Sequence, residues 1–226
     1  MNIKIVTLFP QFIQGSLQHS LIGRAIQNGA VDIQSVDIRD FSSNKHKKCD
    51  DVPYGGGAGM LMTVQPIFDC IESIDKDRKY KRIYLTPVGK KFDDAKAREL
   101  AKQSNLLILC GHYEGVDQRA VDLCIDECIS IGDYILTGGE LAALVVVDAI
   151  CRFCDGVLGN ASSHAQDSFA NELLEYPQYT RPRIFRGHSV RDVLLSGNHS
   201  QIEKWRLEQS LLLTKQFKSK LPSEDL

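Results

Sequence analysis

The sequence predicts an α/β fold: a parallel β-sheet with helices on both faces, followed by a small helical C-terminal domain. Two observations carry this. Short apolar runs of strand character alternate with helix-patterned segments from Asn2 to Phe153. Strands apolar on both faces, separated by helices, mark a parallel, helix-covered sheet. Beyond Glu175 the pattern is helical.

The elements follow in order. Asn2 to Leu8 alternates with period two, and Phe9-Pro10 breaks it. Gln11 to Asn28 reads as one helix stopped at Asn28-Gly29. Val31 to Ile38 reads as a strand, and Asp40 to Met60 as a long loop rich in turn formers, a length that is usually functional or disordered. Helices are expected at Val64–Ser73, Asp93–Gln103, Val116–Leu123 and Gly139–Phe153. Strands are expected at Arg82–Leu85, Leu106–Cys110 and Cys128–Ile131. The domain boundaries read as 1–158 for the sheet domain, 159–174 for a linker and 175–226 for the C-terminal domain. Ser200-x-x-Glu203 reads as a capping box that opens a helix reaching about Lys218.

Composition excludes several classes. With 226 residues, 43% hydrophobic and 25% charged, the chain fits a globular protein with one large domain and a small appendage. The longest apolar run, Leu141 to Val147, is too short to span a bilayer, so no membrane partner is expected. The first residues read as a strand and not a signal peptide, which makes the cytoplasm the expected location. Seven cysteines, an odd number in a chain of this size, argue for reduced and mostly buried thiols. Cys151-x-x-Cys154 and Cys124-x-x-x-Cys128 have zinc-ligand spacing, but both lie in apolar, regularly patterned segments, so no metal site is assigned. Net charge is −2, yet Tyr176 to Leu226 carries nine Lys/Arg against five Asp/Glu. That asymmetry fits either a polyanion-binding appendage or an ordinary solvated surface.

Three glycine-rich stretches interrupt the pattern: Tyr54–Met60, Cys110–Gly115 and Ser130–Glu140. Glycines let a ligand approach main-chain groups that side chains would screen. The last two follow strands, where open α/β sheets bind ligands. The phosphate-binding fingerprints are absent: Gly89-Lys90-Lys91 lacks a hydroxyl and an upstream glycine, and Gly55-x-Gly57 lacks a third glycine and a preceding strand. A site of main-chain groups without a phosphate-cradling lysine suits a neutral or cationic ligand better than a triphosphate.

The residues resemble a known family. Leu8-Phe9-Pro10, Asp50-Asp51-x-Pro53-Tyr54-Gly55-Gly56-Gly57-x-Gly59-Met60, Cys110-Gly111-x-Tyr113-Glu114-Gly115-x-Asp117 and Ser130-Ile131-Gly132-Asp133-Tyr134 match bacterial tRNA (guanine-N1)-methyltransferases of the TrmD type, in the SPOUT class. So do Thr137-Gly138-Gly139-Glu140, Asp167-Ser168-Phe169, Tyr179-Thr180-Arg181-Pro182 and Leu194-Leu195-Ser196-Gly197-Asn198-His199. The matches run in family order over nearly the whole chain. Val52 departs where arginine is common, as do Leu212 and Leu213 where basic residues are frequent. His112 is one of several residues tolerated in its loop.

The resemblance implies a deep trefoil knot, which general topology rules would reject. It implies S-adenosylmethionine as methyl donor, held by Tyr84, Leu85, Thr86, Pro87, Gly111, Tyr113, Glu114, Gly115, Ser130, Ile131, Gly132, Tyr134, Leu136, Gly138 and Gly139. For Glu114, bracing its own loop is an equal alternative. The implied reaction methylates N1 of guanine 37 of tRNA, beside the anticodon. Asp167 matches the general base that removes the N1 proton, and Arg152 matches a residue that stabilises charge on O6. A homodimer with sites shared between subunits is implied, as is a magnesium requirement whose ligands no acidic cluster in the sequence identifies. Arg181, Arg183, Arg186, Lys204 and Arg206 are candidates for tRNA phosphates, with Lys45, Lys47 and Lys48 as further RNA contacts; Asn198 and His199 either touch RNA or make the turn before the capping box. Two competing readings stay open: another SPOUT methyltransferase with a different RNA target, and a non-catalytic RNA-binding module. Asp167 speaks against the first and the intact glycine loops against the second.

Overall fold

The computed structural model describes residues 1–158, 168–169 and 172–219. The chain divides into two compact units, Met1–Gly159 and Asn160–Leu226.

The first unit is built on β1 (Asn2–Thr7), β2 (Asp32–Asp37), β5 (Lys81–Lys91), β6 (Asn105–Cys110) and β7 (Glu127–Ser130). They form one sheet in the order β2-β1-β6-β5-β7, and every pairing is parallel. The period-two alternation of the strands assigns their side chains to two cores. Ile3 and Ile5 of β1 join Leu106 and Ile108 of β6 on one face, while Val6, Leu107 and Leu109 point to the other. The first face is covered by α1 (Pro10–Leu17), α2 (Ser20–Gln27), α4 (Asp94–Ala101) and α6 (Glu140–Cys151), through Ile13, Ala25, Leu100 and Val146. The second is covered by α3 (Val64–Asp75) and α5 (Gln118–Cys124), through Ile67, Ile71 and Ala120. A parallel sheet with helices on both faces is therefore correct.

Several sequence expectations change in detail. The single helix expected over 11–28 is two. The backbone turns at His19–Ser20, where Ser20 takes φ 63°, and Gly23 lets α2 pass the preceding turn: a Cβ there would sit 2.6 Å from the Gln18 carbonyl oxygen. The loop expected over 40–60 holds a short strand, β3 (Asp50–Asp51), paired antiparallel with β4 (Leu61–Met62). Strand β5 runs far past the expected Leu85, through Pro87 and Gly89. It stays extended because it pairs twice with β7: Leu85 and Lys90 both oppose Ile129 across an irregularity. A Cβ on Gly89 would lie 2.4 Å from the Ile129 nitrogen, so only glycine lets the two backbones pass this close.

In the second unit, β8 (Ile184–Phe185) and β9 (His188–Ser189) form a small hairpin that helical patterning did not announce. After α7 (Asp192–Leu195), helix α8 spans His199–Lys218. Its N-cap is Asn198, whose side chain accepts from the Gln201 N–H at 3.2 Å; Ser200, expected to open a capping box, lies inside the first turn. Thr214 of α8 accepts from the Leu174 N–H at 2.8 Å, and Arg206 stacks on Tyr176 at 4.8 Å.

One polar cluster braces the first unit from inside. Arg82 at the start of β5 is fully buried, and its Nε lies 2.8 Å from Oδ2 of the buried Asp75 at the end of α3. Asp75 also accepts the N–H groups of Lys79 and Tyr80, and the Arg82 N–H is taken by Asp126 at 2.8 Å. Removing one partner of such a pair strands a buried charge. Asp75→Ala is therefore expected to cost about 3–5 kcal/mol of stability, read from urea unfolding; a loss below 1 kcal/mol would show that the cluster is dispensable.

Candidate active site

Strands β6 and β7 end on either side of the middle of β5, and the loops that leave them, with Tyr84–Pro87 of β5, line a cavity of about 350 Å³. This is the carboxyl-end position expected for a ligand in an open α/β sheet. The volume falls within the range of small-molecule sites.

The loops meet at backbone distance. The Gly139 N–H donates to the Gly111 carbonyl at 2.8 Å, and His112 bridges Gly138 in antiparallel fashion. A Cβ on Gly139 would lie 2.8 Å from the Cys110 Cα and 2.9 Å from the Gly111 nitrogen. A Cβ on Gly111 would lie 2.9 Å from the Tyr84 hydroxyl. Tyr113 holds the left-handed conformation at φ 58°, which is uncommon for a residue with a side chain. The loop from Cys110 to Gly115 is fixed from outside by the segment before α3. Glu114 N–H donates to Met60, Met62 N–H to Gly115, and Asp117 N–H to Met62, at 2.9 to 3.0 Å.

All fifteen residues carried over by resemblance as cofactor contacts line this cavity: Tyr84 to Pro87, Gly111, Tyr113 to Gly115, Ser130 to Gly132, Tyr134, Leu136, Gly138 and Gly139. His112, Ile129, Ile135, Thr137 and Ala142 line it too. Three of these lie inside the quoted motifs or between their residues. Ala142 comes from the first turn of α6, where only the three-dimensional fold brings it in. The Tyr54–Met60 stretch does not line the cavity. Its Gly59 packs against Glu114, whose Cγ would be 2.5 Å from a Cβ at that position. Glu114 thus has a bracing contact as well as a place in the wall.

The electrostatics are simple. Glu114 is the one carboxylate of the lining, and no lysine or arginine belongs to it. Burial pushes the hydroxyls of Tyr84 and Tyr113 above their ordinary range, so both stay neutral donors. Beneath the floor, Glu140 in the first turn of α6 accepts a buried 2.7 Å hydrogen bond from Thr7 at the end of β1. Such a cavity can hold a flat polar ring by main-chain hydrogen bonds and a positive centre beside Glu114. It is poorly suited to a triphosphate.

Of the two residues expected to act on the nucleobase, only Arg152 is among the described residues, and it does not line the cavity. Arg152 is half-buried and caps α6 at the end opposite the cavity. At 1.5 Å rise per residue, that is roughly 18 Å along the helix axis. Asp167 lies outside the described residues. Of the basic candidates, Arg181, Arg183, Arg186 and Lys204 are exposed, with Arg183 paired to Asp192 at 3.2 Å; Arg206 is engaged by Glu203 at 2.7 Å and by Tyr176. Lys47 pairs with Asp40 at 2.6 Å and Lys48 approaches Asp51 at 3.9 Å. The seven cysteines are free thiols, and among the described residues no three His, Cys, Asp or Glu side chains converge on a metal position. Nor is any described helix long and apolar enough to cross a membrane.

Residues 1–224 match the family model described as tRNA (Guanine-1)-methyltransferase TrmD. The chain is 55% identical over 221 residues to the "tRNA (guanine-N(1)-)-methyltransferase" of Alkaliphilus oremlandii, covering 95% of this chain and 89% of that protein. It is 53% identical to the protein of that name from Clostridium botulinum (strain Hall), covering 100% and 95% of the two. With the Lachnospira eligens protein of that name the identity is 50%, covering 99% and 96%.

The close backbone approach at Gly139 gives a paired test. Gly139→Ala forces two backbones apart and is expected to cost about 1–3 kcal/mol and to disrupt the cavity. Gly15, on α1, has nothing within 4 Å of its missing Cβ. Gly15→Ala is expected to stabilise by about 0.5–1 kcal/mol. Equal shifts in thermal midpoint for the two variants would refute the steric argument.

Proposed function

The chain belongs to the tRNA (guanine-1)-methyltransferase TrmD family, and on that premise we propose that it transfers a methyl group from S-adenosylmethionine to N1 of guanine 37 of tRNA. The observation that carries the cofactor assignment is the convergence of all fifteen matched residues on one cavity with a single carboxylate and no lysine or arginine. The ligand brings a sulfonium and an adenine. Glu114 offers the matching charge, and the glycine-lined loops expose main-chain donors and acceptors to the ring. Bound there, S-adenosylmethionine supplies an electrophilic methyl group. The backbone contact at Gly111 and Gly139 keeps the wall in place. The family's trefoil knot belongs to the same reading. The double pairing of β5 with β7 and the bridge from His112 to Gly138 are the features that support it.

Guanine N1 carries a proton that must leave as the lone pair attacks. Asp167 is assigned as the base that takes it, and Arg152 as the group that steadies the charge on O6. In one chain Arg152 and the cavity lie at opposite ends of α6. A site that uses both therefore needs a second chain. Helix α6 supports a homodimer: it is apolar from Leu141 to Val147, and apolar helices are ordinarily buried, yet Leu141 and Val145, one turn apart on the face that ends in the exposed Asp148, are each 49% exposed. A second copy on this face brings one chain's Arg152 end toward the other chain's cavity. The exposed hairpin carries Ile184, Phe185 and Arg186, with the Arg186 guanidinium 5.5 Å from the Phe185 ring centroid. Exposed arginine and aromatic groups suit an RNA surface, and the tRNA contact is placed here. The described residues offer no cluster for magnesium, so no step is routed through a metal.

The reaction is tested by transfer of labelled methyl to a tRNA transcript with guanine after the anticodon, against the same transcript with adenine. Label confined to the guanine form and mapped to N1 supports the proposal; label on both overturns the specificity. Asp167→Asn is expected to lower the single-turnover rate by about 10²- to 10⁴-fold with cofactor affinity kept, and a near-normal rate would remove Asp167 from the base role. Val145→Asp is expected to halve the mass in sedimentation and abolish turnover. An unchanged mass would place any dimer contact elsewhere.

A further inference from the structure

Two cysteines unused by this reading sit at the C-terminal end of α6. The Cys154 N–H donates to the Cys151 carbonyl at 3.0 Å. Residues 151–154 thus close a tight turn whose ends lie within about 7 Å, close to the Cα separation of about 4.4–6.8 Å that a disulfide spans. Cys154 Sγ lies 3.4 Å from Met1 Sδ and 3.7 Å from the Ile150 carbonyl oxygen. Cys151 is 1% exposed and Cys154 is half-buried, so Cys154 is the reachable sulfur and Cys151 the sheltered one behind it.

The surroundings divide the pair chemically. The neighbouring Cys151 thiol draws the Cys154 thiol below its ordinary range against the opposing effect of burial, and the N-terminal ammonium adds to this. The same proximity pushes Cys151 up. Burial raises each of the other five thiols, Cys49, Cys70, Cys110, Cys124 and Cys128. One nucleophilic sulfur backed by a second within bonding reach is the arrangement of C-x-x-C redox pairs.

We propose that Cys151 and Cys154 form a reversible thiol–disulfide modification site that reacts with small disulfides of the glutathione type. The Cys154 thiolate attacks one sulfur of the oxidant, whose S–S bond breaks and whose other half leaves as a thiolate. The Cys151 thiol then gives up its proton, and its sulfur displaces the second thiolate from Cys154. The protein loses two protons and two electrons and gains the Cys151–Cys154 bond, and the oxidant ends as two thiols. The turn being cross-linked carries Arg152 and Phe153, and the Phe153 ring is already held under the Arg98 guanidinium at 4.3 Å. On the proposed role of Arg152, on which this consequence rests, cross-linking the turn restricts that side chain and lowers turnover without touching the cofactor cavity.

The full-length protein is equilibrated in glutathione buffers of increasing oxidation, trapped by alkylation and mapped by mass spectrometry. A two-hydrogen loss confined to residues 151–154 and reversed by dithiothreitol is expected. Cys151→Ser should stop at a glutathione adduct on Cys154, and Cys154→Ser should take up none at this turn. Two free thiols in the most oxidising buffer, or an adduct that settles on Cys151, would overturn the site. Methyl transfer and S-adenosylmethionine affinity are measured on the same samples. Lost turnover with unchanged affinity supports the link to Arg152, and full turnover in the disulfide form overturns it. A reduced chain that transfers no methyl at all would count against the proposed function and leave the thiol mapping to decide this site.

Discussion

Backbone-to-backbone contact between the loops that follow β6 and β7 is the constraint on which the rest of the site depends. Gly139 touches Cys110 and Gly111 with no room for a Cβ, and Gly89 passes the Ile129 backbone under the same restriction. Close approach of main chains makes a wall that is rigid and rich in hydrogen-bonding groups at once, because no side chain stands between the amides and the cavity. It also explains why glycine is concentrated there despite its entropic cost to folding. The buried Thr7–Glu140 bond fixes the start of α6 to the end of β1, so the wall is tied to the strand next to β6.

Charge is divided as the chemistry requires. The cavity carries one carboxylate and no lysine or arginine, which favours a cationic ligand over a polyanion. Exposed arginines gather instead around the hairpin of the second unit. Several of the basic residues singled out in the sequence are already paired, Lys47 with Asp40 and Arg206 with Glu203. Exposed pairs of this kind are weak and can exchange a carboxylate for a phosphate, but Arg206 is also held by Tyr176. Arg181, Arg186 and Lys204 are the stronger phosphate candidates.

Helix α6 links the parts. Its first turn supplies Ala142 to the cavity, its buried stripe supplies Val146, Val147 and Ile150 to the core, and its last residues carry the Cys151–Cys154 turn around Arg152. A twelve-residue helix cannot present both ends to one small ligand. Leu141 and Val145 are exposed on the same helix, the face on which the proposed dimer rests.

The parallel sheet and its helical cover were legible in the sequence because buried strands and amphipathic helices write their periods directly into the residue order. Most of the cavity lining was legible through resemblance, since those residues are short local runs, whereas Ala142 enters only through the placement of α6. The break at His19–Ser20 was not, because no proline or glycine marks it; only the placement of α2 against the sheet imposes it. Nor was the length of β5 visible, since Pro87 and Gly89 are strand breakers by local preference, and only the second pairing with β7 overrides them. Asn198 displaced Ser200 as the helix cap because both residue types can cap, and the competition is settled by which backbone turns. The sequence by itself therefore determined the layers, the faces and most of the cavity residues. The tertiary structure alone decided which backbones touch, because a missing Cβ records that something comes close without recording what.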